Sequence, residues 1–211
     1  MVTKRDPYPI PRMDECIDSL GDAKIFTTLD ANSGYWQIPM AKRDIEKTAF
    51  VCHSGFYEWI RMPFGLTNAP STFQRALDIL LGNFKWKSCL VYLDDVIIFS
   101  QNTKDHLRDV DEVLTALREA GVSLKLAKCN FFTDTVRYLG HVIKPRTMEV
   151  EEASTRALKG LRPPRTGSEL KSFLGLCNVY RRFIRDYTLI SIPLYPFGVR
   201  MVNIDQVPFF R

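Results

Sequence analysis

The chain of 211 residues is 45% hydrophobic and 25% charged, with a net charge of +5. These proportions exclude a wholly disordered polymer and leave enough length to bury one large core or two smaller ones. A pI of about 9.0 suits a polyanionic partner such as nucleic acid without specifying one.

No run approaches the ~20 apolar residues of a membrane helix, and the stretch from Met1 to Pro11 is too polar for a signal peptide. Cys16, Cys52, Cys89, Cys129 and Cys177 show neither C-x-x-C spacing nor an even count, which argues against zinc and against a disulfide framework.

Pro7, Pro9 and Pro11 predict an extended lead-in. Ile10, Met13, Ile17 and Leu20 then recur at helical spacing, a short helix ended by Gly21. Residues 24–30 are rich in β-formers and predict a strand. Residues 48–52 and 56–61 predict a hairpin turning at His53-Ser54-Gly55. Pro70, Phe73, Leu77, Leu80 and Leu81 mark an amphipathic helix, with Pro70 in its first turn and Gly82 behind its last.

Residues 89–93 and 96–99 are apolar strands, with Asp94-Asp95 as a two-residue acidic turn between them. Thr103 is placed to cap a helix that buries Leu107, Val110, Val113, Leu114 and Leu117 and stops at Gly121. Short strands are predicted at 123–126 and 136–143. Beyond Ile143, helical stretches at about 150–160 and 168–186 flank Pro163-Pro164 and carry Arg156, Arg162, Arg165, Arg181, Arg182 and Arg185. A subdomain boundary is expected near residues 143–145.

Asp94-Asp95 carries the most chemistry. Adjacent like charges raise each other's pKa unless a cation compensates them. A divalent metal does so, and a small set of oxygen ligands suits Mg²⁺, which takes its remaining ligands from water and substrate phosphates. The bland alternative is an ordinary Asp-rich turn. Asp30 ends another β-like run ahead of a turn-prone Ala31-Asn32-Ser33-Gly34. Two strand-end carboxylate sites on one sheet suit a pair of ions about 3.5–4 Å apart, one at the attacking and one at the leaving oxygen. Phosphoryl transfer then needs positioning and charge neutralisation, without a covalent nucleophile.

Five segments in order resemble reverse transcriptases of Gypsy-type LTR retrotransposons. They are Phe26-Thr27-Thr28-Leu29-Asp30 through Tyr35-Trp36-Gln37-Ile38, Arg61-Met62-Pro63-Phe64-Gly65 through Phe73-Gln74, Tyr92-Leu93-Asp94-Asp95, Tyr138-Leu139-Gly140-His141, and Phe173-Leu174-Gly175-Leu176 through Tyr180-Arg181-Arg182-Phe183. The match covers roughly residues 6–187. The resemblance implies an α+β right-hand polymerase fold: an antiparallel palm sheet packed on helices, partial fingers and a helical thumb.

Residues 1–143 would be the reverse transcriptase domain, 144–190 the thumb and start of the connection, and 191–211 an atypical tail. Asp30, Asp94 and Asp95 would form the catalytic triad, and the Ala31 carbonyl would add a ligand for two Mg²⁺ ions, with Mn²⁺ as a substitute. A primer 3′-hydroxyl would attack the α-phosphate of a dNTP and release pyrophosphate. Tyr35 matches the steric gate against a ribose 2′-hydroxyl, although its bland reading is a core aromatic. Phe64 and Gly65 would border the nascent base pair.

Gln74, Tyr92, Leu93, Tyr138, Leu139 and Gly140 would lie along primer and template. Lys125 or Lys128 would act near the leaving phosphate, and both lysines stay open. The implied partners are an RNA or DNA template with its primer, dNTPs and the other domains of a Pol polyprotein, with no membrane. The implied location is a cytoplasmic virus-like particle.

Two departures from the family pattern stand out. The chain starts after the fingers segment whose basic residues hold the triphosphate, and residues 192–211 do not read as the usual connection toward RNase H. A truncated open reading frame, a transposon relic or a fragment of a polyprotein is therefore expected. Loss of the fingers would remove the dNTP grip while leaving the triad. The competing readings are a non-catalytic nucleic-acid-binding transposon relic and a two-metal nuclease, for which the gate and the 62–74 segment have no place.

Overall fold

A computed structural model describes residues 3–195. The elements are α1 (Met13–Asp18), β1 (Ile25–Asp30), β2 (Phe50–Cys52), β3 (Gly55–Tyr57), α2 (Ala69–Leu80), β4 (Cys89–Tyr92), β5 (Asp95–Ser100), α3 (Thr103–Glu119), β6 (Asn130–Thr133), β7 (Val136–Tyr138), β8 (His141–Lys144), β9 (Thr147–Val150), α4 (Glu152–Lys159), α5 (Gly167–Val179) and α6 (Tyr187–Ser191), with short 3₁₀ turns between them. The Cα packing divides the chain into two units. The first runs to Val136 and includes Ile143–Thr147, and the second is Arg137–Val142 with the chain from Met148 onward. Part of the expected tail, from residue 196, lies outside the described residues.

The first unit is built on a four-stranded sheet of order β4-β5-β1-β6, and β5 runs antiparallel to both β4 and β1. Alternation along the strands puts Leu29, Val96, Ile98, Val91 and Cys89 on one face. They share a core with Ala69, Phe73, Leu77 and Leu81 of the α2 region and Val110, Val113 and Leu117 of α3. Burying each valine, leucine, isoleucine or phenylalanine among them contributes about 1.5–3 kcal/mol. Both helices form where the apolar spacing predicts them. Pro70 sits in the first turn of α2, where its missing N–H costs nothing. The cap of α3 is Asn102, whose side chain accepts from the Asp105 N–H at 2.9 Å, so Thr103 is the first helical residue and not the cap.

Several local expectations are corrected. Residues 123–126 form no strand: Leu124 makes an isolated bridge to Ala31 and a 3₁₀ turn follows at Leu126–Lys128. β6 pairs instead with β1, in a register that shifts between Phe26 and Thr28. The single strand expected at 136–143 is a hairpin, because Leu139 (φ 49°) and Gly140 (φ 77°) both turn left-handed between β7 and β8. The helix expected to run to 186 stops at Val179 and gives way to a 3₁₀ turn at Arg181–Phe183.

In the second unit Thr166 caps α5 by accepting from the Glu169 N–H at 3.2 Å, while the Glu169 carboxylate accepts from the Arg165 N–H at 2.7 Å. Arg156 pairs with Glu152 one turn back along α4.

One polar network crosses the main core. His106, fully buried on α3, meets Thr27 Oγ1 of β1 at 2.8 Å and Ser100 Oγ of β5 at 3.0 Å, and Ser100 donates to Asp109 at 2.8 Å. Burial pushes the His106 imidazole pKa down, and the Asp109 charge only partly opposes this. Below the ordinary histidine value of about 6.5 the unfolded chain therefore binds a proton that the folded chain refuses. The stability that depends on a neutral His106 should be complete above that pH and be lost as the pH drops beneath it. Urea midpoints measured from pH 8 to pH 5 should show this loss, and His106→Asn should flatten it.

Candidate active site

Asp30 ends β1, Asp95 begins β5, and the two are direct partners in the antiparallel register. They alternate with Leu29 and Val96, so both carboxylates fall on the sheet face opposite the helices. Asp94 stands beside them in the β4–β5 hairpin. The two-residue turn is Leu93-Asp94, not the expected Asp94-Asp95, because Tyr92 pairs with Asp95 and Leu93 takes the left-handed first turn position (φ 56°). Asp95 is thereby fixed in a strand while Asp94 sits at the tip.

A fully buried glutamine holds this hairpin. Gln74 Oε1 accepts from the Leu93 N–H at 2.6 Å, and its Nε2 donates to the Val91 carbonyl at 3.1 Å and to Asp78 at 2.9 Å. Gln74 was expected along the template strand. Its amide is instead enclosed and spent on the hairpin, so in this structure it presents nothing to nucleic acid. A polar residue inside the apolar stripe of α2, between Phe73 and Leu77, was the available signal.

A second clasp was not foreseen. Gln37 Nε2 donates to the carbonyls of Asn32 (2.8 Å) and Ser123 (2.9 Å), and its Oε1 accepts from the Ser123 N–H (2.8 Å). With Asn32 N–H to Ser123 O and Lys125 N–H to Asp30 O, both 2.9 Å, it binds the 123–129 segment to the turn after Asp30.

Tyr35 is half-buried between the rings of Phe64 (5.0 Å) and Phe73 (5.7 Å), and Phe64 remains 59% exposed. The aromatic contacts continue from Phe64 to Trp36, from Trp36 to Trp59, and on to Phe50 and Tyr57 of the β2–β3 hairpin. Gly34 lets Phe73 approach, since a Cβ there would lie 2.6 Å from the ring. Gly65 is held at φ 89°, a conformation that glycine adopts freely, with open space beside it. In the second unit, Tyr138 is buried, and Leu139 and Gly140 form the β7–β8 turn, half-buried.

The electrostatics tie these groups together. Burial raises the Asp95 pKa, the Asp94 and Asp30 charges raise it further, and Lys128 lowers it. Burial also raises the Tyr35 hydroxyl pKa, with the Asp94 charge adding to it. Lys128 Nζ lies 3.1 Å from Asp30 Oδ2, whereas Lys125 meets Asp30 through its backbone. Among the described residues no three His, Cys, Asp or Glu side chains converge into a ready ion cage. The donor chemistry nevertheless fits a hard divalent cation: three carboxylates with mutual repulsion to relieve, next to the Ala31 backbone.

Residues 1–143 match the family model described as reverse transcriptase (RNA-dependent DNA polymerase). The chain is 43% identical over 204 residues to the retrovirus-related Pol polyprotein from transposon 297 of Drosophila melanogaster, covering 97% of this chain and 19% of that one. It is 44% identical over 189 residues to the Pol polyprotein from transposon gypsy of the same organism, covering 90% of this chain and 18% of the other. Among solved structures it is similar to a foamy viral protease-reverse transcriptase in complex with double-stranded DNA (TM-score 0.82, 28% identity, 94% of this chain and 35% of that one). It is also similar to the foamy viral protease-reverse transcriptase in complex with an RNA/DNA hybrid (TM-score 0.73, 27% identity, 94% and 27%).

Gln74→Ala should strip partners from the half-buried Leu93 N–H and the buried Val91 carbonyl, at a cost of about 1–3 kcal/mol for the buried group left unsatisfied. Arg75→Ala on the neighbouring exposed position, which breaks the surface pair with Asp6, should cost less than about 1 kcal/mol. Chemical denaturation of the two variants beside the parent checks the contrast.

Proposed function

Because the chain belongs to the reverse transcriptase (RNA-dependent DNA polymerase) family, as a domain of gypsy-type transposon Pol polyproteins, we propose that it transfers dNMP units to a primer 3′-hydroxyl at Asp30, Asp94 and Asp95. The chain spans about a fifth of the Pol polyproteins it matches, 19% of the transposon 297 protein. The observation that carries the proposal is the cross-strand pairing of Asp30 with Asp95, with Asp94 at the adjoining hairpin tip, at the end of the sheet face opposite α2 and α3.

Reverse transcriptases work with divalent cations, and here the ions are proposed to be two Mg²⁺. They would be held by the three carboxylates and the Ala31 carbonyl. Bound there, they would neutralise charge on the triphosphate and on the attacking and leaving oxygens. The chain's own contribution is placement. The β1–β5 register and the Gln74-held hairpin keep the carboxylates at fixed spacing. Tyr35, braced by Phe64 and Phe73, would lie under the sugar and exclude a 2′-hydroxyl. Phe64 and Gly65 would border the new base pair, and Tyr92 and Leu93 the primer end.

Lys128, beside Asp30, is the lysine proposed to act near the departing pyrophosphate, in preference to Lys125. Primer–template is the proposed partner, by analogy with the duplexes in the foamy viral complexes. The Tyr138–Gly140 turn and the arginines of the second unit would contact its backbone in a salt-sensitive, sequence-independent way.

Primer extension on an RNA template with Mg²⁺ and dNTPs should proceed with this chain and be abolished by Asp94→Asn. No incorporation by folded protein would overturn the activity. Salt-sensitive duplex binding that Asp94→Asn leaves intact, without incorporation, would favour the non-catalytic relic.

A further inference from the structure

The ammonium of Lys128 lies 3.1 Å from Asp30 Oδ2, an oxygen of a carboxylate assigned above to metal binding. The segment that delivers it is docked on the turn after Asp30. The Lys125 N–H reaches the Asp30 carbonyl at 2.9 Å, and the Lys128 N–H closes the 3₁₀ turn onto the Lys125 carbonyl at 2.8 Å. Gln37 bonds both ends of the clasp, at Asn32 and Ser123. The base of Lys128 is thus fixed relative to Asp30. Its own side chain is 58% exposed against 27% for Asp30, so the four-carbon stem is free to swing into solvent while the carboxylate stays in place.

An ammonium on Asp30 Oδ2 occupies an acceptor site of the carboxylate and offsets its charge. A divalent ion that binds through that oxygen therefore competes with the lysine by position and by like-charge repulsion. We propose that Lys128 is a positioning residue that holds Asp30 as an ion pair and is displaced from it by the divalent cation, so that metal loading and release of the ammonium are a single exchange. The inference rests on the reading of Asp30 as a metal ligand. It adds that the chain carries its own competitor for the site, which neutralises Asp30 until metal arrives and is then freed for an anionic group. Lys125 has no such role, since its bond to Asp30 is through the backbone.

The test is Mn²⁺ binding to the full chain without nucleotide, read from the electron paramagnetic resonance signal of the free aqueous ion. Lys128→Gln should bind Mn²⁺ about two- to fivefold tighter than the parent, the range that an exposed ion pair supports. Lys128→Arg, which restores the charge, should return affinity to the parental value. Lys125→Gln, with the same change in net charge, should leave affinity unchanged.

Equal or weaker binding by Lys128→Gln would overturn the exchange, as would equal tightening by Lys125→Gln. Asp30→Asn separates the two levels of the argument. If it leaves Mn²⁺ binding intact, Asp30 is no ligand and the metal-site reading fails with the proposal. If it weakens binding while Lys128→Gln has no effect, the exchange alone fails.

Discussion

The antiparallel pairing of β1 with β5 sets Asp30 directly across from Asp95, and the rest of the site is arranged around that register. A slip of one residue would exchange the two faces of a strand. Asp95 would then face the helices, among Phe73, Leu77 and Val113, and Val96 would face the site. The core forbids this, because Val96 and Ile98 are buried against α2 and α3 with Leu29 beside them. Apolar burial on one side of the sheet therefore fixes carboxylate spacing on the other. The same packing energy that folds the domain enforces the geometry of its charged groups.

Polar side chains supply what apolar packing cannot, namely direction. Gln74 spends its whole amide on the β4–β5 hairpin and on Asp78. Gln37 spends its amide on two loops that are distant in sequence. The bonds of the enclosed Gln74 tolerate little displacement, since a broken one leaves a buried polar group without water, whereas the three bonds of Gln37 lie at the surface and tie the two loops by their number. Two amides thus hold the acidic tip and the turn after Asp30, and neither touches the proposed reacting atoms.

Much of the fold could be read before any coordinates, where one physical signal dominated. The apolar runs around Asp94-Asp95 gave strands, and 3.6-residue periodicity gave α2 and α3. Weaker signals misled. Val122, Leu124 and Leu126 alternate like a strand, yet the segment is held by loop contacts to Asn32 and Gln37 that no local pattern encodes. Asp-Asp is turn-prone, but cross-strand pairing moved the turn one residue back onto Leu93, which no propensity scale favours in a left-handed conformation. Asp30, Asp94 and Asp95 were identifiable by residue type and resemblance. The placement of Lys128 was not, since its contact spans 98 residues of sequence and Lys125 is its chemical equal.

The aromatic run from Tyr35 outward has an optical consequence. Two of the chain's three tryptophans, Trp36 and Trp59, are stacked at 6.1 Å, and Trp36 also abuts Phe64, which abuts Tyr35. Indoles this close share excitation, and their emission responds to small changes in spacing. A nucleotide that shifted Phe64 would alter the neighbour of Trp36 directly. The protein therefore carries an intrinsic fluorophore pair two rings from Tyr35, through which the proposed nucleotide contact at Phe64 would be read without attaching a dye.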